Sequence, residues 1–222
     1  SPAESGQSIY NSTFTPPSAA LTLSGYGTTT QSITAAVPLL LKANNSAILD
    51  VASKSNIILN GTPYVSNKTP FLSSGNLYDK VLHGTSIFFN GSTDFLITSN
   101  SNNQWFCSNS DFTFESWIYP STQAASQKHI FGNYDSSGNS GIALHINSSA
   151  KLLATTNTTA LTTGSTTLLA NTWYHIMATR SSGVLRLFVN GILEATVVDN
   201  NNHSVAGPLY IGKSNLGTDD SN

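Results

Sequence analysis

Charge is scarce in this chain: 222 residues carry nine basic and eleven acidic side chains, a formal net charge of −2. A surface that tracks phosphates needs clustered Lys and Arg, and here they are scattered, which excludes nucleic acid as a partner. The same shortage argues against a helical protein, whose outer faces need Glu, Lys and Arg. The single cysteine, Cys107, allows no intrachain disulfide. With no Lys, Arg or His beside it in sequence, it reads as a small hydrophobe, not a nucleophile. Long hydrophobic runs are also missing. Val37-Pro-Leu-Leu-Leu is the most apolar stretch and has strand length, so no membrane insertion is expected. The opening Ser1-Pro-Ala-Glu-Ser-Gly-Gln lacks the basic region and apolar core of a signal peptide, and reads as the interior of something larger. Glutamate is limited to Glu4, Glu115 and Glu194, the histidines at 83, 129, 145, 175 and 203 are dispersed, and no Gly-x-Ser-x-Gly elbow occurs. Hydrolysis of a glycosidic bond needs two flanking carboxylates. Glu115 stands mid-strand without a second one at useful spacing, so the chain is expected not to be an enzyme. Glu115 is expected to be hydrogen-bonded inside the fold.

Ser, Thr, Asn and Gly supply the polar surface instead, and 39% hydrophobic residues suffice to fill a core at this length. Eight Asn-x-Ser/Thr triplets follow from that composition and carry no signal of their own. From Val37 onward, short alternating segments are separated by turn residues. Ser86-Ile-Phe-Phe and Asp94-Phe-Leu-Ile-Thr flank Asn90-Gly91, which predicts a hairpin. Val189-Asn-Gly-Ile predicts another. Phe112, Phe114, Ser116 and Ile118 share one face of a strand; Thr113, Glu115, Trp117 and Tyr119 share the other. Trp117 and Trp173 are expected in the core. No segment has a helical period. Residues 1–35 are rich in Ser, Thr, Gly and Pro, and Pro16-Pro17 favours an extended path. They are expected to form an arm or interdomain linker, ahead of one domain over residues 36–222.

The ordered set of pieces carries a resemblance. The chain reads Phe89-Asn-Gly-Ser-Thr-Asp-Phe-Leu, then Phe112-Thr-Phe-Glu-Ser-Trp-Ile-Tyr-Pro, then Trp173-Tyr-His, then Leu187-Phe-Val-Asn-Gly, then Leu209-Tyr-Ile-Gly. In this order, over about residues 37–222, they resemble the laminin-G-like, concanavalin-A-like jelly roll. The resemblance implies an all-β, antiparallel two-sheet sandwich with an extended N-terminal arm. Upstream, Phe14-Thr-Pro-Pro-Ser-Ala-Ala-Leu-Thr with Leu39-Leu-Leu and Ile48-Leu-Asp is similar to segments joining such modules in tail or fibre proteins of marine bacteriophages, cyanophages among them. Such domains usually continue after Tyr-Ile-Gly into one more strand, which this sequence lacks. The sheet is therefore expected to be open at that edge, or completed by residues beyond 222, the arm or a neighbouring subunit.

The resemblance implies a virion or extracellular-surface module, tail-fibre-like and non-enzymatic, mediating assembly or attachment to host glycans. Its partners would be other virion subunits, neighbouring modules of the same chain, or cell-surface polysaccharide. The alternatives are a carbohydrate-binding module of a bacterial surface or secreted protein and, behind it, a glycan hydrolase. Sugar recognition uses aromatic platforms beside amides and carboxylates, which makes the loop residues Trp105, Asn133, Tyr134, Asp135 and Asn139 the candidates for ligand binding. Calcium takes loop oxygens; Asp94, Asp219 and Asp220 are the candidates at a sandwich rim.

Overall fold

The computed structural model describes residues 10–19, 41–44, 47–50, 56–72, 75–98, 107–134, 139–156, 159–205 and 207–213. Fifteen strands and one helical turn lie in these stretches. The first group is β1 (Leu41–Asn44), β2 (Ala47–Asp50), β3 (Ile57–Asn60), β4 (Tyr64–Ser66), α1 (Lys80–His83), β5 (Ser86–Phe88) and β6 (Phe95–Thr98). The second is β7 (Phe112–Ile118), β8 (Lys128–Tyr134), β9 (Ser140–Ile146), β10 (Leu152–Thr156), β11 (Thr159–Thr163), β12 (Tyr174–Ser181), β13 (Val184–Val189), β14 (Ile192–Val198) and β15 (Leu209–Ile211).

Two antiparallel sheets make the sandwich. One has seven strands in the order β11-β10-β9-β8-β15-β6-β3; the other has four, β14-β13-β12-β7. Alternation sorts the side chains. Ile142, Leu144 and Ile146 of β9, with Leu152 and Ala154 of β10, meet Ile176 and Ala178 of β12 and Leu185 and Leu187 of β13 between the sheets. Most of these are entirely buried, and each such Leu or Ile contributes roughly 2 kcal/mol of transfer free energy. Two-residue turns close the long hairpins. Ser182 and Gly183 join β12 to β13, and Asn190 and Gly191 join β13 to β14, all four at positive φ. The second of these hairpins is the one Asn190-Gly191 predicts.

Parts of both sheets are also buried on their outward faces. On the four-stranded sheet, His175, Met177 and Thr179 of β12 and Phe188 of β13 point away from the inter-sheet core, yet each is at most 1% exposed. The N-terminal residues 10–17 cover part of this face. The Phe14 amide donates to Gly191 O at 2.8 Å, the Leu193 amide donates to Thr13 Oγ1 at 3.3 Å, and Thr179 Oγ1 donates to Tyr10 O at 3.2 Å. Phe14 sets its ring edge-on to His175 and Phe188 and stacks on Tyr10 at 3.9 Å. The described part of the arm is therefore a strap across a sheet face. The boundary expected at residues 35 and 36, and the edge expected after Tyr210-Ile-Gly, lie outside the described residues.

The hairpin expected at Asn90-Gly91 does not form. β5 pairs with β4 in a separate two-stranded sheet, while β6 enters the seven-stranded sheet between β15 and β3. The reason is the chemistry of the turn. Asn90 Oδ1 accepts from the amides of Ser92, Thr93 and Asp94, and Asp94 Oδ1 accepts from the Thr62 amide at 2.7 Å. These bonds make a corner that passes the chain from one sheet to another. A single helical turn, α1, forms although no segment of the sequence has a helical period.

Candidate functional site

The loop-end candidates separate once placed in the fold. Asn133, next to the end of β8, is only 2% exposed. Its Oδ1 accepts from the Ile142 amide at 3.1 Å and its Nδ2 donates to Val205 O at 3.0 Å. This side chain holds the β8–β9 end to the 203–205 segment and is committed to structure. Gly141 matches it: a Cβ there would lie 2.7 Å from Asn133 Oδ1. Tyr134 ends β8, and Asn139, exposed, precedes β9. Trp105 and Asp135 lie outside the described residues, as do Asp219 and Asp220.

Asp94 is buried at 1% exposure. Its Oδ1 takes the Thr62 amide and its Oδ2 the Asn90 amide at 3.0 Å. Among the described residues no three His, Cys, Asp or Glu side chains gather where they could hold a metal ion. Asp94 therefore acts as the corner's clamp. Asp94→Ala strands two amides and is expected to cost roughly 2–4 kcal/mol. The loss of thermal midpoint should be the same in EDTA as in millimolar calcium chloride; a calcium-dependent difference would make Asp94 a ligand.

Three further carboxylates are likewise engaged. Glu194 accepts from the amides of Ser165 and Thr166 and from Thr166 Oγ1. Asp111 accepts from the Ser182 amide and from Ser181 Oγ. Asp199 takes Asn201 and His203. Burial pushes the Cys107 thiol up to about 12, with Arg180 pulling the other way, which disfavours the thiolate.

Glu115 differs. Together with Thr113 and Trp117 it lies on the outward face of β7, and not in the inter-sheet core where the sequence places Trp117 and a hydrogen-bonded Glu115. Trp173 also falls outside that cluster, half-buried against Tyr119. β7 and β12 pair so that Trp117 faces His175 and Glu115 faces Met177. Glu115 Oε2 is 3.6 Å from His175 Nε2, with the two side chains 6% and 1% exposed. Trp117 makes edge contacts with His175 at 5.2 Å and with Phe71 at 5.7 Å. Among the described residues four buried polar atoms here have no hydrogen-bond partner: Thr113 Oγ1, Glu115 Oε1, Trp117 Nε1 and His175 Nδ1. A buried polar atom left dry costs about 1–3 kcal/mol, so four on one face is a concentrated debt. The parity of β7 was legible in the sequence; that Phe71 would pack on Trp117 and Phe14 on the neighbouring His175 was not.

Comparison with known proteins places the fold. Residues 89–222, more than half of the chain, match the laminin-G-type family described as the concanavalin A-like lectin/glucanases superfamily. The chain belongs to this superfamily. No curated protein matches it. Among solved structures, it is similar to the binding domain of botulinum neurotoxin DC in complex with SialylT, at 14% identity and a TM-score of 0.54, covering 78% of this chain and 42% of that one. The botulinum neurotoxin serotype D binding domain follows at 17% identity, TM-score 0.51, and the same two coverages. The third is domain 4 of an extracellular arabinanase from Geobacillus stearothermophilus, in complex with arabinotriose, at 12% identity, TM-score 0.52, and 74% and 77% coverage. The chain spans about two fifths of the length of the neurotoxin domains it matches. At these identities the likeness is one of fold, and it agrees with the jelly roll read from the strand order. No helix among the described residues is long and apolar enough to cross a membrane.

Proposed function

We propose that this laminin-G-like domain is a non-enzymatic binding module for glycans, carried on a virion fibre or a comparable extracellular surface. The observation that carries the non-catalytic part is the state of the carboxylates. Asp94, Asp111, Glu194 and Asp199 are each held by backbone or side-chain donors, and among the described residues Glu115 has a histidine but no second carboxylate beside it. Glycoside hydrolysis needs an acid and a base or nucleophile on opposite sides of one bond. Membership of a lectin/glucanase superfamily and the arabinotriose complex of a similarly folded domain support a sugar as ligand. The virion assignment rests on the Phe14-Thr-Pro-Pro segment and its likeness to phage fibre linkers.

The test is an immobilised-glycan array probed with the purified chain, followed by a reducing-end assay on every glycan retained. Binding without release of reducing ends is expected, and Glu115→Gln should leave the reducing-end signal at background. Release of reducing ends that the substitution abolishes would make the protein a hydrolase. Sequencing the gene's surroundings tests the virion part: further laminin-G-like modules in the same reading frame and phage structural genes beside it are expected.

A further inference from the structure

We propose that the outward face of the four-stranded sheet is a sugar subsite, and that residues 10–17 are its gate. The proposal rests on the glycan-binding reading and locates a site for it away from the loop ends. Its basis is the set of four unpartnered polar atoms on that face. Thr113, Glu115 and Trp117 follow one another at every second residue of β7, a span of about 13 Å at strand rise, and His175 joins them from β12. Their chemistry is mixed. Glu115 Oε1 accepts, the Trp117 indole N–H donates, and Thr113 Oγ1 and His175 Nδ1 can do either. Aromatic rings of Trp117, Phe71 and Phe14 border them.

That combination selects a ligand class. Phosphate would meet the Glu115 carboxylate. A metal ion would find one carboxylate and one imidazole beside an indole that cannot ligate, and among the described residues no third ligand joins them. Peptide backbone is already present in the strap and satisfies none of the four atoms. A hydroxyl donates and accepts at once, and the apolar face of a sugar ring lies well on an aromatic side chain.

The strap is built to lift. Among the described residues the Phe14 amide bonds to Gly191 O at the sheet edge, with the Thr13 and Tyr10 contacts beside it. Pro16 and Pro17 have no N–H with which to extend that pairing. Gly191 is shaped to receive it: at φ +77° it has no Cβ, and one placed there would lie 1.9 Å from Phe14 O.

The experiment uses the full chain labelled with 15N, with the Trp117 indole resonance assigned through Trp117→Phe. Neutral oligosaccharides of three to five glucose, xylose, arabinose or galactose units are titrated in. Phe14→Ser removes the ring that anchors the strap; Thr13→Ala, a milder change, removes only the acceptor for the Leu193 amide, and serves if Phe14→Ser does not fold. The expected result is a sugar-dependent shift of the Trp117 indole signal, with Kd roughly tenfold lower in the loosened variants and roughly tenfold higher again when Glu115→Gln is added. Sugar shifts confined to the loop ends in every variant would overturn the gated subsite and leave the glycan-binding reading standing. Absence of any sugar-dependent shift anywhere would overturn both. An indole signal that moves when the strap is loosened but ignores all sugars would assign the four atoms to water, and would also overturn the subsite.

Discussion

Replacing Asp199 by alanine is expected to lower the thermal midpoint by on the order of 10 °C, the largest effect of any single polar substitution described here. Asp199 and His203 are fully buried, and Arg180 is 3% exposed. His203 Nε2 lies 2.8 Å from Asp199 Oδ2 and Nδ1 lies 2.6 Å from Gly141 O. Both ring nitrogens therefore face acceptors. Arg180 donates from Nε and Nη2 to Asp199 O and from Nη1 to Ser110 O, with Nε 3.5 Å from the carboxylate. The group ties β12 of one sheet to the start of β9 in the other through the 199–203 loop. Burial alone pushes the Asp199 carboxyl up, but hydrogen bonds from His203 and Asn201 and the charge of His203 outweigh it and hold the carboxyl below the usual range. Alanine would leave the buried Arg180 guanidinium without its anion and His203 without its partner, which costs roughly 3–5 kcal/mol. Asp199→Asn keeps an acceptor for His203 and should lose less. Calorimetric or fluorescence melts at pH 7 measure both; an Asp199→Ala midpoint within a degree or two of the parent would show that the charges are reached by water and contribute little.

Stability is also expected to fall as pH drops from about 6.5 toward 4, with His145 as a main cause. His145 lies on the outward face of the seven-stranded sheet, paired across from His129, with ring centroids 3.9 Å apart. Gln127 Nε2 donates to its Nδ1 at 3.0 Å, so Nε2 carries the single proton and donates to Thr155 Oγ1 at 2.8 Å. Burial holds this neutral imidazole down to about 4 from an ordinary 6.5. Burial first, then the neighbouring His145, depresses His129 further. The sign follows from proton uptake. Below 6.5 the unfolded chain takes a proton at His145 and the folded chain does not until about 4, so this stabilisation is complete above 6.5 and lost on the way down. The shift corresponds to roughly 3 kcal/mol for His145. Asp199, whose carboxyl is depressed, adds a second loss at lower pH, as its anion is protonated. Urea midpoints at pH 7.5 and 4.5 check this: the parent should lose several kcal/mol between them, and His145→Gln distinctly less. An equal loss in both proteins would remove His145 from the account.

Much of the fold was written in the chain. Period-two alternation in Phe112–Ile118 and Tyr174–Ser181, the turns at Ser182-Gly183 and Asn190-Gly191, and the shortage of charge are local properties, and local physics turns them into antiparallel hairpins. Their order sufficed to recognise a jelly roll. The hairpin expected at Asn90-Gly91 shows where that reasoning ends. The dipeptide turns as expected, but Asp94 bonds to Thr62, 32 residues away, and this long-range bond sends the two flanking strands to different sheets. The same holds for the site. Alternation assigned Glu115 and Trp117 to one face of β7, yet a strand carries no record of which face meets the second sheet or of what lies over the other. Packing decided both, because Phe112, Ile176 and Leu187 fill the inter-sheet space while Tyr10 and Phe14, a hundred or more residues upstream in the chain, close over the opposite face. The sequence by itself determined the strands, the turns and the poverty of catalytic groups. Only the tertiary structure brought Glu115, Trp117 and His175 together under a strap, since that neighbourhood depends on contacts between residues that no local preference links.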